Sequence, residues 1–221
     1  MCGRFSLVSP AVLLAKILQL NRAIPLEPRY NIAPTQAIIA IRRLPDDRQL
    51  DWVWLRWGLV PSWSKDPSHA GALINARAET VFEKPAFRSP IRQRRCLIPA
   101  DGFFEWKKQS RQKIPFCFRL RDESPFAFAG LWDHWPGETP IESAAIITTP
   151  ANALVQPFHS RMPVILDEKD YDVWLNPQVH DPERLYPLLR PFPSERMTAY
   201  PVDSRVNNAA FDDPQCILPI S

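Results

Sequence analysis

Proline is the feature that most limits how this chain can fold: 25 of the 221 residues are proline, whereas only 6 are glycine. Proline lacks a backbone N–H and fixes φ, so it interrupts long helices and is confined to the edges and ends of strands. Collagen is excluded, because it needs glycine at every third position. We therefore expect a globular chain of short elements joined by stiff loops.

Short β-type runs outnumber helical patterns, and the two do not alternate along the chain. This arrangement predicts the α+β class: a single domain over residues 1–221, with a curved, barrel-like β-sheet core and short peripheral helices. Helices are expected at 79–87, 168–175 and 182–189. Strands are expected at 37–42, 52–57, 96–98, 103–106, 115–120, 125–132, 143–149 and 198–202.

The apolar run after residue 10 is the place to look for a targeting segment. Ser9 before Pro10 instead predicts a capped amphipathic helix, since Lys16 interrupts the run and no signal cleavage site follows. No charge-free stretch approaches the roughly 18–20 residues of a membrane helix. We expect a cytoplasmic protein, nucleoid-associated when bound to DNA, without a membrane partner.

The four cysteines do not form a recognisable framework. Cys2, Cys96, Cys117 and Cys216 are widely spaced and include no C-x-x-C pair, so neither a disulfide scaffold nor a metal site is indicated. We predict a reduced protein that uses no metal and no cofactor.

Charge is distributed unevenly along the chain. Residues 1–121 hold 21 Lys/Arg and 9 Asp/Glu, whereas residues 122–221 hold 6 and 15. The stretch 84–121 alone has 11 basic residues and 2 acidic ones. Such a cluster fits a polyanion partner, although a solvated face paired with the acidic half explains the charge equally well. The basic residues are Lys84, Arg88, Arg92, Arg94, Arg95, Lys107, Lys108, Arg111, Lys113, Arg119 and Arg121.

The chain begins Met1-Cys2-Gly3-Arg4. Removal of Met1 would leave Cys2 with a free α-amino group beside its thiol. The amine titrates near ~8 and the thiol near ~8.5, so both nucleophiles are accessible around neutral pH. Such a 1,2-aminothiol reacts with an aldehyde to form an imine. The thiol then closes the imine to a stable thiazolidine ring.

Glu105 and His159 supply the carboxyl and imidazole groups that Schiff-base chemistry needs for proton transfer. Asn75, in the run LINARAE, supplies an amide. Each also has an ordinary structural explanation: Glu105 as a paired strand residue, His159 as a loop cap, Asn75 as a turn residue.

Several motifs, in this order, resemble the SRAP family, the SOS-response-associated peptidases or abasic-site processing proteins. They are MCGRF, RYNIAPTQ (29–36), WGLVPSW (57–63), INARAET (74–80), RRCLIPADGFFEWK (94–107), FAGLW (128–132), HSRMPVIL (159–166) and VNN (206–208). The resemblance implies a sensor of abasic sites in single-stranded DNA. We expect this protein to be a monomer that needs no metal.

The resemblance also implies roles for individual residues. Cys2 would form the covalent thiazolidine link to the ring-opened sugar, and Asn75 would position it. Glu105 would assist Met1 removal and ring reversal, and His159 would protonate the sugar oxygen and support an AP-lyase activity. The DNA contacts implied are Arg4, Arg77 and Arg161 to phosphates, with Trp63 and Trp106 against bases. The other tryptophans in the first half, Trp52, Trp54 and Trp57, are expected in the core.

Two other functions compete with a covalent abasic-site sensor. Cys2, His159 and Asn75 would also suit a cysteine peptidase that acts on other proteins through a Cys–His–Asn triad. A non-covalent reader of modified DNA bases would keep its affinity without Cys2.

Overall fold

Strands make up most of the regular structure in the computed structural model, which describes residues 2–18, 20–43, 49–67, 73–109 and 112–220. Met1 and Arg111 lie outside the described residues. The eight strands predicted from sequence are confirmed, and five short strands join them. The described strands are β1 Phe5–Leu7, β2 Arg29–Ile32, β3 Ala37–Arg43, β4 Leu50–Trp57, β5 Asn75–Arg77, β6 Arg95–Ala100, β7 Gly102–Gln109, β8 Gln112–Leu120, β9 Phe126–Trp135, β10 Ile141–Pro150, β11 Arg161–Pro163, β12 Ile165–Leu166 and β13 Met197–Pro201.

The helices are short and lie at the periphery. The α-helices among the described residues are α1 Ala11–Ile17, α2 Pro90–Gln93, α3 Tyr171–Leu175 and α4 Pro182–Leu185. The 3-10 turns are Ala78–Thr80, Glu168–Asp170, Tyr186–Leu188, Ser194–Arg196, Ser204–Asn207 and Pro214–Ile217. In the described part of the chain, no helix is long and apolar enough to cross a membrane.

Five strands close into a barrel. Antiparallel pairing joins β4 to β3, β3 to β6, β6 to β9 and β9 to β10, and a parallel pairing of β10 with β4 completes the ring. Beyond β4, strand β5 continues the parallel pairing along β10 and brings Asn75 opposite Ile146. The predicted α+β class with a barrel-like core is confirmed.

The second sheet packs on the barrel through aromatic rings. Its strands run in the order β13-β8-β7-β1-β2. Phe5 on β1 places its ring 5.2 Å from Trp57 of β4 and 5.7 Å from Phe128 of β9, measured between centroids. Phe103 stacks on Phe118 at 5.1 Å within the sheet. Offset and edge-to-face contacts of this kind add stability beyond the buried area, so β1 is fixed firmly beside the barrel.

The helix predicted at 79–87 is wrong. A 3-10 turn at Ala78–Thr80 is followed by further turns, and the next α-helix begins only at Pro90. Pro85 explains the difference, because proline clashes with the preceding helical turn and disfavours helical geometry in the residue before it.

The cap predicted at Ser9 is also wrong, although the helix after it is present. α1 begins at Ala11, with Pro10 as its N-cap and no side-chain capping bond. The Ser9 hydroxyl instead donates to the carboxylate of Asp101. Of the apolar residues after it, Leu14 and Leu18 are buried, whereas Val12 is 73% exposed.

Trp54 is 55% exposed, which corrects its expected place in the core, whereas Trp52 and Trp57 are buried as predicted. Successive side chains of a strand point to opposite faces. Trp54 and Trp57 therefore lie on opposite faces of β4, and Trp54 is exposed on its face.

Candidate active site

The position of the N-terminus follows from β1. Phe5 pairs with Phe103 of β7 on one side and with Ile32 of β2 on the other. The Phe104 amide donates to the Arg4 carbonyl at 3.0 Å. Because Phe5 is also only 1% exposed, residues 2–4 are held at one defined point at the start of β1.

Cys2 is fully buried at that point. Its carbonyl accepts a 3.0 Å hydrogen bond from Asn75 Nδ2, and its Sγ lies 4.0 Å from the Arg4 carbonyl. Burial raises the pKa of the Cys2 thiol, and the negative charge of Glu105 raises it further. The thiol is therefore neutral at physiological pH in the chain as it stands and needs a proton acceptor to react.

Glu105 is a buried carboxyl group on β7, 5% exposed. Burial raises its pKa, whereas the positive charges of the amino terminus and His159 act in the opposite direction. A carboxyl group of raised pKa is suited to giving and taking a proton near neutral pH.

His159 is oriented by the backbone of its own loop. Its Nδ1 accepts a hydrogen bond from the Arg161 amide at 2.9 Å. The same nitrogen lies 3.3 Å from the Arg161 carbonyl, a contact whose direction depends on the tautomer. The Arg161 backbone therefore orients the imidazole ring through Nδ1.

A pocket of about 320 Å³ connects Glu105 and His159 to solvent. Glu105 and His159 lie in its wall beside an aromatic and basic rim. The lining residues are Glu105, Trp106, Lys108, Lys113, Phe158, His159 and Asn207. Asn75 Oδ1 is buried without a hydrogen-bond partner among the described residues, so the centre retains an acceptor for a further donor.

Arg4 and Trp106 border the same place. The Arg4 guanidinium donates to Asn31 Oδ1 at 2.7 Å and to the Val206 carbonyl at 2.6 Å, and lies 5.9 Å from the Trp106 ring. Trp106 Nε1 donates to Asn207 Oδ1 at 2.6 Å. These bonds tie the N-terminal strand to the segment 206–207, and a role for Arg4 in phosphate binding stays a prediction.

The other sequence-predicted DNA contacts differ in how available they are. Arg161 is bound to Glu79 at 2.5 Å and 3.0 Å and to the Thr148 carbonyl at 2.6 Å, and its side chain is 14% exposed. Arg77 is exposed on β5. Trp63 is 64% exposed, on a loop whose Ser62 amide donates to Asp133 at the far end of β9. Their DNA contacts stay predictions.

Two polar residues that support this site, the buried Asn31 and the half-buried Asp212, were not singled out from sequence. Asn31 Nδ2 donates to the carbonyls of Val206, Asn208 and Phe211 at 2.6–3.1 Å. Asp212 accepts from the Tyr30 and Asn31 amides. The motifs RYN and VNN contain residues of this network. The bonded residues Asn31 and Val206 are 175 positions apart, so the sequence does not show that the two motifs meet.

In the described ranges, no group of three or more His, Cys, Asp or Glu side chains is placed to hold a metal ion. The arrangement offers a carboxyl group and an imidazole in the wall of one pocket, and a buried thiol whose own residue is bound by the Asn75 amide.

Comparison with known proteins decides the family. The model described as SOS response associated peptidase (SRAP) matches residues 1–209. The chain belongs to the SRAP family. Its relatives include the abasic site processing protein YoqW of Bacillus subtilis, 42% identical over 98% of this chain and 99% of that protein. The abasic site processing protein HMCES of Gallus gallus is 32% identical over 75% of this chain and 56% of its own length.

A solved structure shows the same SRAP architecture. A protein from Bacteroides thetaiotaomicron superposes with a TM-score of 0.88 at 29% identity, covering 100% of both chains. A phage-related protein from Bordetella bronchiseptica gives 0.75 at 30% identity, covering 91% of this chain and 94% of that one.

Proposed function

We propose that this SRAP protein recognises abasic sites in single-stranded DNA and captures their ring-opened sugar covalently through Cys2. The observation that carries the proposal is the bond from Asn75 to the Cys2 carbonyl, beside a pocket walled by Glu105 and His159. The names of the relatives agree with abasic-site processing. The protein would act in the cytoplasm, on the nucleoid.

The capture step uses the two nucleophiles of a processed Cys2. The α-amine attacks the C1′ aldehyde and forms an imine with loss of one water. The thiol then adds across the C=N bond, its sulfur bonding to carbon and its proton passing to nitrogen. The thiazolidine product is therefore aldehyde plus aminothiol minus one water.

Glu105 is the proton carrier for this sequence. The thiol has to lose its proton before it attacks, and its raised pKa keeps it neutral until a base is at hand. Glu105, whose pKa is raised by burial, takes that proton and returns it when the imine and ring interconvert. The same carboxyl group assists autocatalytic removal of Met1.

His159 acts on the sugar. With Nδ1 held by the Arg161 amide, Nε2 is the nitrogen that protonates the sugar oxygen and favours the open aldehyde. The imine that follows also acidifies the C2′–H bond, so loss of that proton to a base, with expulsion of the 3′ phosphate and formation of a C2′=C3′ double bond, gives a slow AP-lyase activity.

Peptidase action on other proteins fits the geometry less well. In a Cys–His–Asn triad the amide orients the imidazole. Here Asn75 binds the Cys2 carbonyl, and the Arg161 backbone orients His159.

The test is adduct formation on a single-stranded oligonucleotide with one abasic site, followed by denaturing gel and intact mass. Wild-type protein gives a heat-stable adduct whose mass lacks one water. Cys2→Ala gives none, because an imine without the thiol hydrolyses, although borohydride traps it through the free amine of Ala at position 2.

Cys216→Ala is the matched control, because it removes another buried thiol outside the pocket and keeps the adduct. A stable adduct from Cys2→Ala without reductant would contradict the ring mechanism. Binding that persists in wild type without any covalent product would favour a non-covalent reader.

A further inference from the structure

Two lysines form the outer rim of the pocket. Lys108 of β7 and Lys113 of β8 are paired directly opposite each other in the antiparallel ladder. Both are exposed, and both line the pocket that contains Glu105 and His159. Among the described residues neither lysine has a salt-bridge partner.

Such a pair is unfavourable in the free protein. Like charges directly opposite on one face of an antiparallel pair repel each other and destabilise the hairpin. Two cations held together without a salt-bridge partner among the described residues are, however, a ready site for an anion that fits between them, because an anion removes the repulsion and gains two charge-assisted contacts.

The surroundings indicate which anion. Residues two apart on a strand share a face, so Trp106 lies on the same side of β7 as Lys108. An aromatic ring next to a pair of cations matches one base and one phosphate of a single strand. Arg4 and Arg161, which the sequence predicts to contact phosphates, already donate hydrogen bonds to acceptors within the protein.

Lys113 also lies where two pockets meet. A second pocket, of about 570 Å³, begins at Gln112 and Lys113 and follows β8 to the segment Val202–Ser204. A DNA single strand that leaves the first pocket along this groove has to pass the lysine pair.

We propose that Lys108 and Lys113 bind one backbone phosphate of the single strand, next to the nucleotide presented to Cys2. The proposal rests on the proposed function for the identity of the strand. It adds a phosphate position and the direction in which the strand leaves the centre.

The experiment measures non-covalent binding of an undamaged single-stranded oligonucleotide across a salt series. Lys108→Gln with Lys113→Gln should reduce the magnitude of the slope of log K against log salt by about 0.7, the value for one lost phosphate contact on a single strand. Each single variant should fall between the double variant and wild type.

Two further variants and one further measurement make the result specific. Lys16→Gln removes an exposed lysine on α1 and should keep the wild-type slope. Lys108→Arg with Lys113→Arg retains the charges and should retain the slope. The thermal midpoint of the double Gln variant should be no lower than that of wild type, since repulsion has been removed.

A double Gln variant with the wild-type slope would overturn the proposal, as would an equal loss in Lys16→Gln. Wild-type protein that does not bind undamaged single strands at any salt concentration would overturn it as well. The proposed function is judged separately, by the adduct of wild-type protein on abasic DNA, because the salt series involves no covalent step.

Discussion

At the scale of single residues, Glu105 has the most unusual environment. A carboxyl group that is 5% exposed is costly to ionise, because burial removes the water that solvates its charge. The amino terminus and His159 offset part of that cost. The site therefore holds a group whose protonation responds to what occupies the pocket.

Glu105→Gln should slow adduct formation on abasic single-stranded DNA. The amide keeps the size and hydrogen bonding of the side chain but does not exchange a proton at neutral pH. Loss of a general acid/base commonly costs about 10²–10⁴-fold in rate. The measurement is a time course corrected by mass spectrometry for molecules that retain Met1, followed by a chase with unlabelled substrate to follow reversal.

The same variant should be more heat-stable than wild type at neutral pH. A carboxyl group whose pKa is raised on folding binds its proton more tightly in the folded state, so it destabilises as pH rises through that pKa. The stability gained by Glu105→Gln should shrink as pH falls toward 4. For a chain of this size, each 1 kcal/mol shifts the midpoint by about 2–4 °C.

If Glu105→Gln forms and reverses the adduct at wild-type rates, the proposed proton transfer by Glu105 is contradicted. The role then passes to His159. A variant less stable than wild type at pH 7 would contradict the costly burial of the charge. The two outcomes are independent, because the first concerns the reaction and the second concerns only the folded protein.

At the scale of elements, the barrel depends on close approach between β6 and β9. Gly130 of β9 pairs directly with Cys96 of β6. A Cβ atom at position 130 would lie 2.7 Å from Cys96 Sγ and 2.8 Å from Ile98 Cδ1. Both side chains are fully buried, so neither has room to move aside.

Gly130→Ala should therefore destabilise the protein by about 1–3 kcal/mol, the usual cost of overpacking a core. Urea unfolding followed by tryptophan fluorescence measures the loss. In a Cys96→Ala background the closest clash is absent, and the same substitution should cost less. Equal cost in both backgrounds would show that the contact with Cys96 does not limit the approach of the strands.

At the scale of the whole molecule, part of the basic excess of residues 1–121 is neutralised internally. Three arginines of this half pair with carboxylates of the acidic half: Arg29 with Asp212 at 2.5 Å, Arg42 with Glu142 at 2.7 Å and Arg94 with Asp133 at 3.1 Å. These pairs join distant parts of the chain.

Arg95 shows the same internal use without a carboxylate. It is 5% exposed and donates to the carbonyls of Ile91, Arg92, Trp174 and Asn176 at 2.5–2.9 Å. Burial lowers its pKa to about 10. The stretch 84–121 is therefore not a uniform phosphate-binding surface.

Because part of the basic charge is already bound within the protein, single-strand binding should depend less steeply on salt than the number of basic residues suggests. We expect a slope of about −2 to −3 in log K against log salt for wild-type protein, which corresponds to three or four phosphates. All eleven basic residues of the stretch would give a slope near −8. Fluorescence anisotropy with an undamaged oligonucleotide measures it, and a slope steeper than about −6 would show that the stretch binds as one surface.

The sequence by itself determined the strand pattern and the chemical groups that the candidate site contains. Thiol, amine, carboxyl and imidazole at Cys2, Glu105 and His159 are properties of residue types, and the motifs around them identify the family without a structure. Strand positions follow from β-branched and aromatic runs bounded by proline and glycine, which are local signals. The barrel-like core was expected on the same basis.

Only the tertiary structure decided which charged side chains and aromatic rings are exposed and which are occupied by contacts within the protein. Arg161 is held by Glu79, Trp54 is exposed on β4, and Lys108 meets Lys113 across the hairpin. Closure of the ring through β4 and β10 joins residues about 87 positions apart, such as Arg56 and Ser143. These outcomes depend on the free energy of contacts between segments distant in sequence, and no local pattern records which distant partner a side chain will meet.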